Sequence, residues 1–182
     1  MNKKILVLPG WMNYLRMINV EEYSEIWHGK TNKNKEVDYV VGFSLGALVT
    51  LRDLNPNWKK IILVAPPLPK RNIFAWFINW IKYISAEGLS LKNQVFTKNP
   101  FKFIVELCRC IKLFGIDFSK ILDNISRDRI VVMRGKNDNF FCDDKTVEFL
   151  RSKNIGVIEI AGVGHNWDEK FNIKIDKIIS GP

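Results

Sequence analysis

Apolar residues fall along this chain in two rhythms. Short unbroken runs within Lys4 to Leu8, Asp38 to Gly42, Trp58 to Ala65, from Arg129 onward and within Ile155 to Ile160 are each closed by a turn or a helix start. Such runs predict strands buried on both faces. Between them, apolar positions recur at helical spacing. Leu15 to Tyr23, Leu45 to Leu54, Asp143 to Lys153 and Asp168 to Ile179 are predicted helices, the third opening on acidic residues that suit a helix N-terminus. Asn55-Pro56 stops the helix that begins at Leu45, because proline restricts the residue before it and cannot continue the ladder. Glu25 to Gly29 reads as a brief strand and Lys30 to Glu36 as a polar loop. Strands alternating with helices predict an α/β protein built on a mostly parallel sheet with helices on both faces.

The alternation breaks between residues 70 and 129. Asn72 to Ile84 reads as a helix apolar almost all round, and Pro100 to Phe114 as a second, with proline in its first turn. Phe118 to Ile125 is a short third helix. With no strand of its own and a sheet strand on either side, this segment is expected to be a helical insertion over one end of the sheet. The 182 residues then form a single domain, 1–182, with the insertion spanning 70–129. The Trp and Phe residues of the insertion, Phe74, Phe77, Trp80 and Phe103 among them, suit either ordinary helical core or the lining of an apolar substrate groove.

Composition narrows the setting. No segment resembles a signal peptide, and the longest apolar stretch, Ile73 to Ile84, is too short to span a bilayer, so a cytoplasmic protein without stable membrane insertion is expected. Three cysteines without metal spacing (Cys108, Cys110 and Cys142) read as buried thiols in a reducing compartment, and no metal site or cofactor is expected. The net charge of +9 fits either solvated lysines or attraction to something acidic, such as a carrier protein or an anionic membrane. No nucleic-acid-binding signature accompanies it.

Candidate chemistry begins at Gly42-Phe43-Ser44-Leu45-Gly46. Three fixed positions recur by chance in about one chain of this length in twenty, so the context must carry the weight. That context is a buried strand before and a helix after, which places Ser44 on a tight strand-to-helix turn with the first helical N–H groups beside it. Two further residues then fall at the ends of later strands: Asp138, after the Gly135 turn, and His165, after the last strand. Parallel strands bring such ends to one edge. A serine hydroxyl becomes a nucleophile when an imidazole takes its proton, and the imidazole needs a carboxylate to fix its tautomer. Asp143 and Asp144 rival Asp138, although both suit a helix start. His28 precedes the serine and closes a weak element, so it reads as a surface or structural residue.

These three stretches, in the order serine, acid, histidine, resemble the α/β-hydrolase family. The resemblance covers the whole chain and implies that the insertion at 70–129 is the family's lid. Pro9-Gly10-Trp11 is similar to the family's His-Gly-x oxyanion loop with proline in place of histidine. It implies backbone N–H donors at Trp11 and Leu45. Within the family, the Gly-Trp loop, Phe-Ser-Leu-Gly and a small basic lid look most like carboxylesterases that demethylate pimeloyl-acyl-carrier-protein methyl ester in biotin synthesis. That resemblance implies a small acyl ester as substrate, delivered by an acidic acyl carrier protein to a basic surface of Lys70, Arg71, Lys82, Lys98, Lys102, Arg109 and Lys112. Only about thirty residues separate the first strand from the one before Ser44, where the family fits two helices and a further strand. A trimmed α/β-hydrolase fold of five or six strands is therefore expected. The alternative is a catalytically inert binding or scaffold protein on the same fold.

Overall fold

The computed structural model describes residues 4–11, 36–86 and 100–181. The expected helix at 15–23, the brief strand at 25–29 and His28 lie outside them. Five strands form one wholly parallel sheet in sequence order: β1 (Ile5–Leu8), β2 (Tyr39–Phe43), β3 (Lys60–Val64), β4 (Ile130–Gly135) and β5 (Val157–Ile160). The three central strands are almost fully buried, whereas β5 at the edge is half-exposed.

Because successive side chains point to opposite faces of a strand, each run feeds two cores. Leu6, Val40, Ile61, Leu63 and Val132 face one, shared with α1 (Leu45–Arg52), α3 (Pro100–Phe114), α4 (Phe118–Asp123) and α5 (Asp144–Ser152). Val7, Val41, Ile62, Val64 and Met133 face the other, where Phe171, Ile175 and Ile179 of α6 (Glu169–Ser180) cover them. The division follows from handedness. Among the described residues, right-handed crossovers from β2 through to β5 fall on one face, and α6, after β5, covers the other.

Between β3 and β4 the described residues hold α2 (Ile73–Ala86), α3 and α4 and no strand. Helix α2 buries Trp76, Trp80 and Ile84 and leaves Phe74, Phe77, Ile78 and Ile81 exposed. One expectation needs correcting: Cys110 and Cys142 are buried, but Cys108 is exposed. Two residues on, the helix has turned by about 200°, so Cys108 and Cys110 cannot share the inner face of α3. Among the described residues, no helix is long and apolar enough to cross a membrane.

Candidate active site

Ser44 is the first residue after β2 and caps α1 with φ 51° and ψ −121°. A non-glycine residue is held there only when its surroundings over-determine it, at a cost of about 1–3 kcal/mol. Here its N–H donates to the Val64 carbonyl at 2.8 Å, and its own carbonyl accepts from Ala47 N–H at 2.9 Å. Gly46 lets α1 start against the end of β1: a methyl group there would run into the carbonyl oxygens of Leu8 and Pro9. The sharp turn therefore comes from close backbone approach on both sides of the serine.

The loop after β4 carries Asp138, and the loop after β5 carries His165. They are tied together through the backbone, Lys136 N–H donating to Ile160 O and Asn137 N–H to Val163 O, each at 2.9 Å. Gly135 permits this, because a side chain at that position would strike the carbonyls of Val163 and Gly164. The result is a line of hydrogen bonds. Ser44 Oγ lies 3.0 Å from His165 Nε2, and His165 Nδ1 lies 2.6 Å from Asp138 Oδ2.

Asp138 is fully buried and His165 nearly so. Burial pushes the carboxyl group of Asp138 up. The imidazole of His165 and the backbone N–H groups of Phe141 and Phe140 outweigh it and hold the group below the usual carboxylate value. Burial, with the Asp138 carboxylate beside it, pushes the Cys142 thiol well above its ordinary value. The two rival carboxylates are engaged elsewhere. Asp143 caps α5 and pairs with Arg71 at 2.7 Å, and Asp144 pairs with Arg134 at 2.5 Å.

Above Ser44 is a cavity of about 80 Å³, lined by Gly10, Trp11, Phe43, Ser44, Leu45, Trp76, Trp80, Tyr83, Phe141, His165 and Asn166. Trp11 and Leu45, the expected oxyanion donors, border it together with the serine. Leu45 opens α1, where the first N–H groups have no partner within the helix. Of the aromatic residues expected to meet substrate, Trp80 lines the cavity. Phe74, 76% exposed, and Phe77 lie on the outer side of α2 and are not among the lining residues. The side chain of Phe103 lies outside the described residues. Sequence reasoning missed Trp76, Tyr83, Phe141 and Asn166. Trp76, Trp80 and Tyr83 recur at helical spacing, and that polar-tipped aromatic stripe was the available signal.

Among the basic residues of the insertion, Lys70, Lys82 and Lys112 are exposed, Arg109 is half-buried, and Arg71 is committed to Asp143. Among the described residues, no group of three or more His, Cys, Asp or Glu is placed to hold a metal ion.

The parallel sheet, the strained serine turn and the helices set between β3 and β4 together define an α/β-hydrolase fold. Comparison with solved structures agrees. The chain superposes on MGS-MChE2, an alpha/beta hydrolase enzyme from the metagenome of sediments of the Mar Chica lagoon, Morocco, with a TM-score of 0.63, 13% identity and coverage of 99% of this chain and 90% of that one. It is similar to an esterase of Pyrococcus furiosus (TM-score 0.57, 16% identity, 98% and 81% covered). It is also similar to BpoC, a putative non-heme bromoperoxidase of Mycobacterium tuberculosis (TM-score 0.57, 12% identity, 99% and 92% covered). At these identities the likeness is one of fold. No family model matches the sequence, and no curated protein matches it.

Proposed function

We propose that the protein is a serine hydrolase that cleaves a carboxylic ester or thioester through an acyl-enzyme intermediate. The observation that carries this reading is the pair of contacts joining Ser44 Oγ, the His165 ring and Asp138 on a strained turn, at 3.0 and 2.6 Å. That the fold is also the fold of an esterase and of an alpha/beta hydrolase enzyme is supporting context, since one fold hosts many reactions.

In this reading Ser44 Oγ attacks the acyl carbon while His165 Nε2 takes its proton. The negative charge that develops on the carbonyl oxygen is met by the N–H groups of Trp11 and Leu45, a donor of this kind being worth about 3–4 kcal/mol in the transition state. Asp138, kept ionised by its hydrogen bonds, fixes the Nδ1–H tautomer and steadies the imidazolium. The bond to the leaving alcohol or thiol breaks as His165 returns the proton to it. His165 next takes a proton from water, whose oxygen attacks the acyl carbon, and returns that proton to Ser44 Oγ as the acid departs. At about 80 Å³ the cavity is well below the few hundred Å³ of a pocket that encloses a drug-sized ligand. Its aromatic walls suit a short, uncharged group at the reacting ester.

We place the natural substrate, more finely, as an acyl group carried by an acidic carrier protein, of which the methyl ester of pimeloyl-acyl carrier protein is the specific case. The supports are the Gly10-Trp11 loop, Phe43-Ser44-Leu45-Gly46, and exposed Lys70, Lys82 and Lys112 on the insertion. The first experiment is incubation with a fluorophosphonate probe. Covalent labelling of the folded protein, abolished in Ser44→Ala, is expected; folded protein that fails to label is an inert scaffold. For the carrier-linked substrate, activity is expected to fall steeply with salt while p-nitrophenyl acetate hydrolysis does not. Equal sensitivity removes the carrier protein from the account.

A further inference from the structure

One helix reaches three of the loops that the proposed chemistry uses, those after β1, β4 and β5. Trp76 and Trp80 of α2 each sit with ring centroids 5.3 Å from Trp11, on the loop after β1. Asn79 Nδ2 donates to the backbone carbonyl of Phe140 at 3.1 Å, on the loop that carries Asp138. The Tyr83 hydroxyl donates to Asn166 Oδ1, next to His165. Its ring meets His165 edge-on at 5.6 Å and Phe141 at 5.4 Å. These side chains recur along a single face of α2, while the opposite face, with Phe74, Ile78 and Ile81, is exposed.

A lid that swings open would have to break both hydrogen bonds and unstack three indole rings at every turnover. The contacts also end on loop backbone and on residues beside the reacting groups, where they constrain the loops as much as the helix. From this we propose that α2 is a fixed brace, and that Tyr83 and Asn79 are positioning residues which hold the loops of His165 and Asp138 in register with Ser44. The inference rests on the serine-hydrolase reading. It goes beyond that reading by assigning a task to two side chains that touch neither the nucleophile nor the carboxylate.

Tyr83→Phe keeps the ring and removes only the hydroxyl, and Asn79→Leu keeps the size and removes the whole polar amide, including the Nδ2 donor to Phe140. Each variant is measured for melting temperature, for the fraction labelled by the fluorophosphonate probe, and for kcat and KM on p-nitrophenyl acetate per labelled site. The brace predicts a fall in kcat of about tenfold for either variant, equal to 1.4 kcal/mol of barrier, with KM within about twofold. Ile81→Ser, on the exposed face, is expected to match the wild type. If the latch instead holds a lid shut, kcat/KM rises when it is cut, and the brace is overturned. Unchanged kcat with a lower melting temperature reduces both residues to a structural role and also overturns it. A rise in KM alone makes them substrate contacts, and an equal fall in Ile81→Ser assigns the effect to the helix in general; either result ends the assignment. Wild-type protein that fails to label would sink the hydrolase reading itself, a different failure from variants that label and turn over normally.

Discussion

Replacing Asp138 with asparagine tests the proposed chemistry at its most constrained point. The carboxylate accepts four hydrogen bonds. Oδ1 takes the N–H groups of Phe140 at 3.2 Å and Phe141 at 3.0 Å, and Oδ2 takes Cys142 N–H at 3.1 Å and His165 Nδ1 at 2.6 Å. Asparagine offers one acceptor oxygen and one NH2. With its oxygen in the Oδ1 position, Phe140 and Phe141 keep their acceptor, and the NH2 faces Cys142 N–H and the imidazole. The opposite flip would deprive both of those backbone donors, so the first orientation is favoured by about 1–3 kcal/mol, the penalty for a buried donor left unpaired.

In that orientation a donor points at Nδ1, which must become the acceptor. The ring proton then moves to Nε2, facing the Ser44 hydroxyl, and Nε2 has no lone pair left to receive the serine proton. Any imidazolium that does form lacks its counter-charge. A loss of about 10³–10⁴ in kcat is expected, or roughly 4–5.5 kcal/mol of barrier, against a stability loss of only about 1–3 kcal/mol from the unpaired Cys142 N–H. The assay is steady-state hydrolysis of p-nitrophenyl acetate, normalised to folded protein by circular dichroism. Asp143→Asn and Asp144→Asn, whose carboxylates pair with Arg71 and Arg134, serve as comparators and are expected to stay within about threefold of wild type by the small worth of outlying ion pairs. Activity of Asp138→Asn within tenfold of wild type, or an equal collapse in Asp144→Asn, would refute the assignment.

Three other outcomes follow from the same structure. Against its burial, the His165 imidazole and its hydrogen bonds hold Asp138 below the ordinary carboxylate value in the fold, so its contribution to stability is complete above the unfolded value of about 3.9 and is lost as pH falls through the lower folded value. Urea midpoints measured from pH 5 to pH 2.5 should therefore drop more steeply for wild type than for Asp138→Asn, and parallel curves would contradict this. Because Cys108 is exposed while Cys110 and Cys142 are buried, Ellman's reagent should titrate one thiol in native protein and three in denaturant. Two fast thiols in the native state would mean that the inner face of α3 opens. Phe171 of α6 is fully buried against the sheet, and Phe171→Ala should cost about 3–5 kcal/mol in chemical denaturation; a cost under 1 kcal/mol would show that α6 is not part of the core.

Much of the sheet was legible because strands buried on both faces must be apolar at every position, and Ile61 to Val64, mostly β-branched and closed by Pro66-Pro67, fit that pattern. Ser44 was legible for a different reason: a strained turn between strand and helix needs small neighbours, and Gly42 and Gly46 supply them. The choice among Asp138, Asp143 and Asp144 was harder to read, since it depends on which carboxylates Arg71 and Arg134 capture from other parts of the chain. Helix α2 was misjudged in detail. A helix with large apolar residues on nearly every side offers several candidate inner faces. Phe74 and Phe77 stand out by size as Trp80 does, while the stripe of Trp76, Trp80 and Tyr83 is the one that turns inward. The exposed Cys108 follows from the same geometry read one helix later.

The order of the strands explains why α2 is needed at all. In open parallel sheets a binding crevice opens where the strand order reverses, because the connections on either side then leave for opposite faces. The described strands run from β1 to β5 without reversal, and α1, α3, α4 and α5 share one face as a result. Strand order alone therefore opens no crevice at the edge where Ser44, Asp138 and His165 converge. The walls must come from something laid across that edge, and Trp76, Trp80 and Tyr83 of α2 provide them. An element that builds the pocket cannot also leave it at each turnover without dismantling the site. In a sheet this short, covering the serine and holding the loops around it fall to the same helix.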